Sequence, residues 1–407
     1  MRSYYSVFYS GIAYYGWLVV AIVFLSSALS IGPAYAFGLF IEPLEDSFGW
    51  RRTAISLSLS FGAVGSLTSP LLGRIMDRYG TRPLMAGSLA VMGISFLLRP
   101  LMTELWHWYA LSFLQYVALS GATALPVGRL VGVWFQRSRG RVMGIATMGN
   151  NFGGLTVPLM TGFLLASGNW QAAYLLLGSL AFLIALLSLA LIREHPPEAA
   201  RSSPETPSTP TPALTGWTVR DAVRSRSFYV LAISLTLGSF TYSGVLPQVA
   251  DHLIVEGMSR TTVPFAISLL AAFGMVGKLS FGYLSERYTA RRMMMVSLSG
   301  QVVFIALMVA FPTPPIAWIA VSLFGLFMGS YGALISLVIQ DNFGLKNFGT
   351  ISGLIMMTSV VSFFAGPVLA GRSYDVTGHY TVGFIAVAVM FAIAVVALTR
   401  VDAPTDR

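Results

Sequence analysis

Apolar stretches long enough to cross a bilayer recur twelve times along this chain, and no other feature restricts the fold as strongly. A helix needs about 20 residues to traverse roughly 30 Å of hydrocarbon. The stretches cover approximately residues 16–40, 53–76, 84–101, 106–135, 142–165, 172–192, 227–253, 262–284, 293–311, 316–339, 350–369 and 382–398. Backbone N–H and C=O groups inside lipid must be satisfied within the span, so runs of this length read as helices; the alternating pattern of a lipid-facing barrel is absent. With 55% hydrophobic and 10% charged residues and a mean hydropathy of +0.73, the expected class is an all-α membrane protein. The short connections leave no room for a soluble catalytic domain. The first span is too long for a secretory h-region and lacks a small-residue cleavage site, so it is expected to be retained.

The formal net charge of +9 has a topological reading. With both termini placed in the cytoplasm, most of the arginines fall on the inner side, among them Arg74, Arg78, Arg82, Arg137, Arg139 and Arg141. The outer side receives only Arg51, Arg52, Arg99, Arg260 and Arg372. That asymmetry follows the positive-inside rule, and the excess charge suits anionic membrane lipid, with no role for nucleic acid. The compact spans suit a bacterial inner (plasma) membrane. Absence of cysteine excludes disulfides and thiolate metal sites. The histidines at 107, 195, 252 and 379 have no metal-ligand spacing, and neither a nucleophile nor an acid–base pair has recognisable spacing. No cofactor, metal or enzymatic activity is expected.

The segment 194–218 is the only stretch where apolar periodicity vanishes, and Pro196, Pro197, Pro204, Pro207, Pro210 and Pro212 alternate there with Ser, Thr and Glu. It reads as a linker, followed over 217–226 by a short interfacial helix. The expected organisation is a six-helix bundle at 1–193, a cytoplasmic linker at 194–226 and a second six-helix bundle at 227–407. Sliding the chain against itself by 209 residues supports the duplication. The shift superposes Gly65 on Gly274, Gly73 on Gly282, Asp77 on Glu286, Arg78 on Arg287, Tyr79 on Tyr288, Arg82 on Arg291, Gly140 on Gly349, Gly144 on Gly353, Pro158 on Pro367 and Gly162 on Gly371. Internal repeats of this kind mark secondary transporters, which bind substrate near the midplane between repeats and expose it alternately to each side.

The stretch Gly73-Arg-Ile-Met-Asp77-Arg78-Tyr-Gly80-Thr-Arg82 resembles the loop motif G-x-x-x-D-R-x-G-x-R of the major facilitator superfamily, with Gly282 to Arg291 as a degenerate second copy. Its physical sense is a latch. An acid at a helix end, basic loop residues and glycines for close approach build an ion-pair network that breaks on opening; Gly73, Asp77, Arg78, Gly80, Arg82, Glu286 and Arg287 are its candidates. The competing reading is that the arginines only set topology, which needs no acid at 77. Further segments resemble the monocarboxylate and oxalate–formate branch: Tyr15-Gly16-Trp17, Phe48-Gly49-Trp50-Arg51, Trp134-Phe135 through Arg139-Gly140 and Gly144-Ile145, and Gly371-Arg-Ser-Tyr374-Asp375-Val-Thr-Gly378. The resemblance implies a twelve-helix major facilitator fold, functional as a monomer. Members of that branch commonly carry Arg in helix 8 with Asp one turn before it, whereas this chain has Lys278 with Gly274 in the acid's place. Lysine is a point charge and not a two-pronged fork, so the family's Asp–Arg proton relay does not carry over.

Lys278 stands alone in the apolar run 262–284. Eight residues before Glu286, at 1.5 Å each, its ammonium is placed roughly 12 Å inside the hydrocarbon, at a cost of about 3 kcal/mol or more. An anion entering a water-filled cavity is the simplest reason to keep it; backbone carbonyls holding a structural cation are the bland alternative. Arg129 is the second cation inside a span, with snorkelling or gating as its alternative. Neither neighbourhood offers an acid in sequence. Tyr116, Tyr331, Asn150, Asn151, Ser359 and Ser362 lie at comparable depth and could orient a carboxylate or α-hydroxyl, though a tyrosine at a helix seam needs no function. For proton handling the candidates are Lys278, Asp251 and Glu256, with solvated loops as the bland reading of Asp251, His252 and Glu256.

These residues point to a carrier of a small organic anion: a lactate- or pyruvate-like monocarboxylate moved with protons by alternating access. A carboxylate exchanger of the oxalate–formate type is the runner-up. Export of hydrophobic or cationic drugs usually uses cavity acids, and a receptor without transport has no use for the duplication.

Overall fold

The computed structural model describes residues 2–166, 168–196, 214–259, 262–313 and 316–401. Among them every regular element is helical, and a single isolated bridge joins Gly216 to Gly344. Eleven described helices are long and apolar enough to cross a membrane: α1 (Tyr15–Phe48), α2 (Ala54–Tyr79), α3 (Thr81–Leu101), α4 (Leu105–Trp134), α6 (Trp170–Leu191), α7 (Arg226–Val255), α8 (Phe265–Tyr288), α9 (Ala290–Ala310), α10 (Ile316–Phe343), α11 (Phe348–Thr377) and α12 (Thr381–Thr399). The fifth expected span forms the 28-residue helix α5, Arg139–Ala166. Its length of about 42 Å is ample, but Asn150, Asn151 and its glycines keep it less apolar than the others.

The helices fall into two compact units. The first comprises Met1–Arg137, Ile145–Gly216 and Gly344–Gly353; the second comprises Ser138–Gly144, Trp217–Phe343 and Leu354–Arg407. Each unit therefore includes a short segment from the other half of the sequence. Most of the proline-rich linker, with Pro197 to Pro212, lies outside the described residues. The helix expected over 217–226 is a six-residue turn of helix, Val219–Arg224. Thr218 starts it, its hydroxyl accepting from the Asp221 amide at 3.2 Å, an ordinary N-cap.

Two spans are interrupted where sequence chemistry requires it. In α4 the helix breaks at Thr123 (φ −125°, ψ −101°), three residues before Pro126, which has no N–H to return to Ala122 and whose ring crowds that carbonyl. In α7 the helix widens to a π turn at Thr241–Val245 and tightens to a 3-10 turn at Leu246–Gln248, where Pro247 likewise cannot bond back to Ser243.

Within the first unit α5 lies backbone-to-backbone on α1. A Cβ added to Gly149 or Gly153 would collide with the carbonyls of Phe24 and Ala28. Within the second unit α8 lies as close on α10, since a Cβ at Gly329 would collide with Gly274 and one at Gly277 with the Leu326 carbonyl. Small residues at a seam let helices in lipid gain packing and weak polar contacts that larger side chains would prevent. The α8–α10 seam fixes the helix that carries Lys278.

Candidate functional site

Lys278 projects from the middle of the 26-residue helix Val263–Tyr288, and only 5% of it is exposed. One turn earlier, Gly274 meets Gly329 backbone to backbone, since a Cβ added at Gly329 would collide with the Gly274 carbonyl oxygen. On the other side a Cβ at Gly144 would stand 2.5 Å from the Lys278 carbonyl oxygen. The lysine is thus held between two close backbone approaches in the second unit.

Tyr331, also in that unit, is fully buried. Its hydroxyl donates to the Leu235 carbonyl, and its ring fills the space left by Gly238. Ser362 belongs to a run of hydroxyls joining α7 and α11: its Oγ lies 2.5 Å from Ser239 Oγ and donates to the Ser359 carbonyl at 2.7 Å. Ser243 Oγ donates to the Ser362 carbonyl at 2.7 Å. Both side chains spend their hydrogen bonds on helix seams. Tyr116, Arg129, Asn150 and Asn151 lie in the first unit; the two asparagines are half-buried beside the glycine contact of α5 with α1.

For Arg129 the expectation of no nearby acid is corrected. Its Nη1 lies 3.0 Å from Asp77 Oδ1, with both side chains 10% exposed, and also donates to the Met76 carbonyl at 3.2 Å. Arg129 and Asp77 are far apart in sequence, and no periodicity announces that α2 and α4 bring them together.

Asp77 accepts more than the guanidinium. Gly349 N donates to its Oδ1 at 3.0 Å; Thr350 N and Thr350 Oγ1 each donate to its Oδ2 at 2.7 Å. The carboxylate therefore caps the first turn of α11, where unsatisfied amides and the helix dipole favour negative charge. Gly73 makes this possible, because any side chain there would collide with the Gly349 carbonyl. The second copy repeats the device in the second unit. Glu286 accepts from Arg141 N at 2.8 Å and from Arg141 Nε at 2.9 Å, at the start of α5, while Gly282 and Gly140 meet backbone to backbone. Nearby, Arg139 pairs with Asp341. Gly80, at φ +96°, reverses the chain between α2 and α3, and Arg82 N donates to Glu194 Oε1 at 2.7 Å. The Arg78, Arg82 and Arg287 side chains are exposed, and Arg78 stacks on the Tyr79 ring at 5.2 Å.

The loop-solvated reading of His252 and Glu256 is also corrected. His252 is 1% exposed and packs on Phe384 with ring centroids 4.9 Å apart. Glu256 Oε1 lies 3.0 Å from His379 Nδ1 and 3.9 Å from His252 Nδ1. Asp251 is exposed. Sequence reasoning could not see this cluster because His379 arrives from the α11–α12 connection.

Arg99 is the functional-looking residue that sequence reading missed. Counted as an outer-side topology charge, it is 4% exposed, folded inward by the 3-10 turn Arg99–Leu101. Its one sequence signal is the adjoining Pro100.

Eleven apolar spanning helices, buried cations, seam-forming glycines and duplicated helix caps among the described residues are the features of a polytopic membrane protein. The Major Facilitator Superfamily model matches residues 17–367 and 237–407, and the chain belongs to that superfamily. It is similar to a protein named Monocarboxylate transporter 13 from Bos taurus, 26% identical over 380 residues covering 91% of this chain and 85% of the relative. It also resembles Monocarboxylate transporter 11 from Mus musculus, 27% identical over 386 residues with 91% and 84% covered. Among solved structures the proton:xylose symporter XylE superposes with a TM-score of 0.78 at 11% identity, covering 96% of this chain and 97% of that one. The human organic anion transporter MFSD10 gives 0.70 at 15%, with 94% and 99% covered. At these identities the structural likeness speaks for the fold alone.

Proposed function

We propose that this transporter carries small monocarboxylates of the lactate or pyruvate type, coupled to protons, with Lys278 as the charge that receives the anion. The observation that carries this reading is a lysine 5% exposed in the middle of a membrane-crossing helix, in a chain whose similar proteins include several named monocarboxylate transporters. A cation so placed costs several kcal/mol unless the site is used, and a carboxylate drawn to it gains strongly in a low-dielectric surrounding. Neutralising the ammonium with an anion lowers the cost of moving the site during alternating access. Tyr116, Asn150, Asn151, Arg129, Tyr331, Ser359 and Ser362 remain candidate supports. Of these, Arg129, Tyr331 and Ser362 also have protein partners.

The Glu256–His379 pair with His252 alongside supports a proton-handling role on the second unit, with Asp251 exposed beside it. The arginine asymmetry supports a plasma-membrane orientation with both termini inside, and the protein is proposed to work as a monomer.

Proteoliposome uptake tests the reading. Lactate uptake should be driven by an inward proton gradient and lost in Lys278→Gln while the variant keeps its melting behaviour; normal uptake by that variant would eliminate Lys278 as the anion site. Carboxylate exchange of the oxalate–formate type is the second reading. The glycine at 274, which leaves Lys278 without an acid one turn before it, favours it, and uptake that depends on internal anion and ignores the proton gradient would establish it.

A further inference from the structure

Arg99 occupies an aromatic cage in the first unit. Its Cζ lies 4.4 Å from the Trp108 ring centroid, 4.6 Å from Tyr174 and 5.3 Å from Phe96. Nη2 donates to Gln115 Oε1 at 2.7 Å and to Ser112 Oγ at 3.4 Å. Nε, fully buried, has no partner, and among the described residues no carboxylate pairs with this guanidinium. The ring faces offset part of the desolvation cost of a buried cation, and the two hydrogen bonds satisfy two of its five donors. Neither removes the net positive field, because aromatic quadrupoles, amides and hydroxyls carry no charge.

Beside the guanidinium is a cavity of about 20 Å³, lined by Ser58, Gln115, Tyr116, Tyr174, Pro33 and Phe37 as well as Arg99 itself. A water needs a cavity of about 10–15 Å³ by this measure, so the space admits a guest slightly larger than water and, of an organic acid, no more than the carboxylate head. Its polar lining, a cation with hydroxyl and amide donors, selects negative charge. Its apolar walls exclude the hydration shell a doubly charged anion would keep.

We propose that this pocket binds one small monovalent anion, whose charge is that of a halide or of the carboxylate head of a larger acid. The site is separate from Lys278, lies wholly within the first unit, and does not depend on the transport reading.

Trp108 reports on it through Arg99, whose guanidinium carbon lies 4.4 Å from its ring centroid, so a heavy halide held by that guanidinium is within a short distance of the indole. Full-length purified protein is titrated with bromide at constant ionic strength while tryptophan emission is recorded. The expected result is a saturable quenching component in the wild type that disappears in Trp108→Phe and in Arg99→Gln. Chloride or formate is then added as competitor: displacement by chloride assigns the guest as a halide, displacement by formate as a carboxylate head, and either supports the site. Quenching that rises linearly with bromide in the wild type overturns the proposal without needing any Arg99 variant. So does a saturable component that survives in Arg99→Gln, or one that neither competitor displaces. Loss of uptake in Lys278→Gln with an unchanged bromide response would leave this site standing, and the reverse pattern would remove it alone.

Discussion

Replacing Asp77 with asparagine should destabilise this protein far more than the matching change at Glu286, and the size follows from burial. Asp77 accepts four hydrogen bonds, from Arg129 Nη1, Gly349 N, Thr350 N and Thr350 Oγ1. Asparagine keeps one acceptor oxygen and turns an NH₂ toward donors. At about 1.5–3 kcal/mol for a hydrogen bond to a charged group, losing one or two of these costs roughly 3 kcal/mol. Arg129, left buried at 10% exposure without its acid, keeps that cost from relaxing away, as a broken buried pair typically costs about 3–5 kcal/mol. Glu286 faces an Arg141 side chain that is 54% exposed, so solvent screens the pair and its charge is worth under about 1 kcal/mol.

Thermal unfolding of full-length protein in one detergent, across wild type, Asp77→Asn, Arg129→Gln, the double variant and Glu286→Gln, measures this. Arg129→Gln alone should cost less than Asp77→Asn, because the carboxylate keeps its three donors on Gly349 and Thr350. The double variant should lose less than the sum of the singles, with a coupling of about 1–2 kcal/mol, since it no longer buries an unmatched charge. Additive losses, or a Glu286→Gln variant as unstable as Asp77→Asn, would refute the argument that burial makes the first copy the stronger cap.

Two further substitutions separate packing from function. Gly73→Val should lower the melting temperature markedly, by about 1–3 kcal/mol of overpacking, because its side chain would strike the Gly349 carbonyl; a Gly73→Val protein with wild-type stability would show that this approach is not maintained. Tyr331→Phe removes the donor that serves the buried Leu235 carbonyl and should cost about 1–3 kcal/mol with little change in the substrate concentration giving half-maximal uptake; a large rise in that concentration would place the phenol at the substrate instead.

The spans, their helical state and the duplication were legible in the sequence because each depends on a local rule: a run of about 20 apolar residues or a constant spacing. The two cap acids, Asp77 and Glu286, could likewise be singled out, since they stand at matching places in a loop motif and its second copy. Their partners could not. Gly349 and Thr350 come to Asp77 from 272 and 273 positions away, and Arg99 was taken for a topology charge because burial inside an aromatic cage depends on Trp108 and Tyr174, which lie on two other helices. Tyr331 misled in the opposite direction: a mid-span tyrosine looks available until Gly238 and the Leu235 carbonyl are seen to absorb it. The glycine-rich α5 read correctly as a helix, but the reason for its low hydropathy, backbone contact with Phe24 and Ala28, required the fold.

What the duplication preserved is a set of contacts, and where it diverged is informative. One 209-residue step carries Asp77 to Glu286 and Arg141 to Thr350, so the bond from Thr350 N to Asp77 and the bond from Arg141 N to Glu286 are the same interaction made in opposite order along the chain. The same step carries Gly353 back to Gly144 and Lys278 back to Ser69. A Cβ at Gly353 would press on the Ser69 carbonyl oxygen, as one at Gly144 would press on that of Lys278, so both copies retain the close approach that holds this point of the helix. Only the side chain differs. Ser69 is fully buried and turns its hydroxyl back to the Gly65 carbonyl at 2.8 Å, with Ser120 Oγ at 2.7 Å, a neutral solution whose hydrogen bonds offset the cost of burial. The second copy places an ammonium at the equivalent backbone position. A serine at the matching position of the first unit shows that this close backbone approach does not by itself require a lysine.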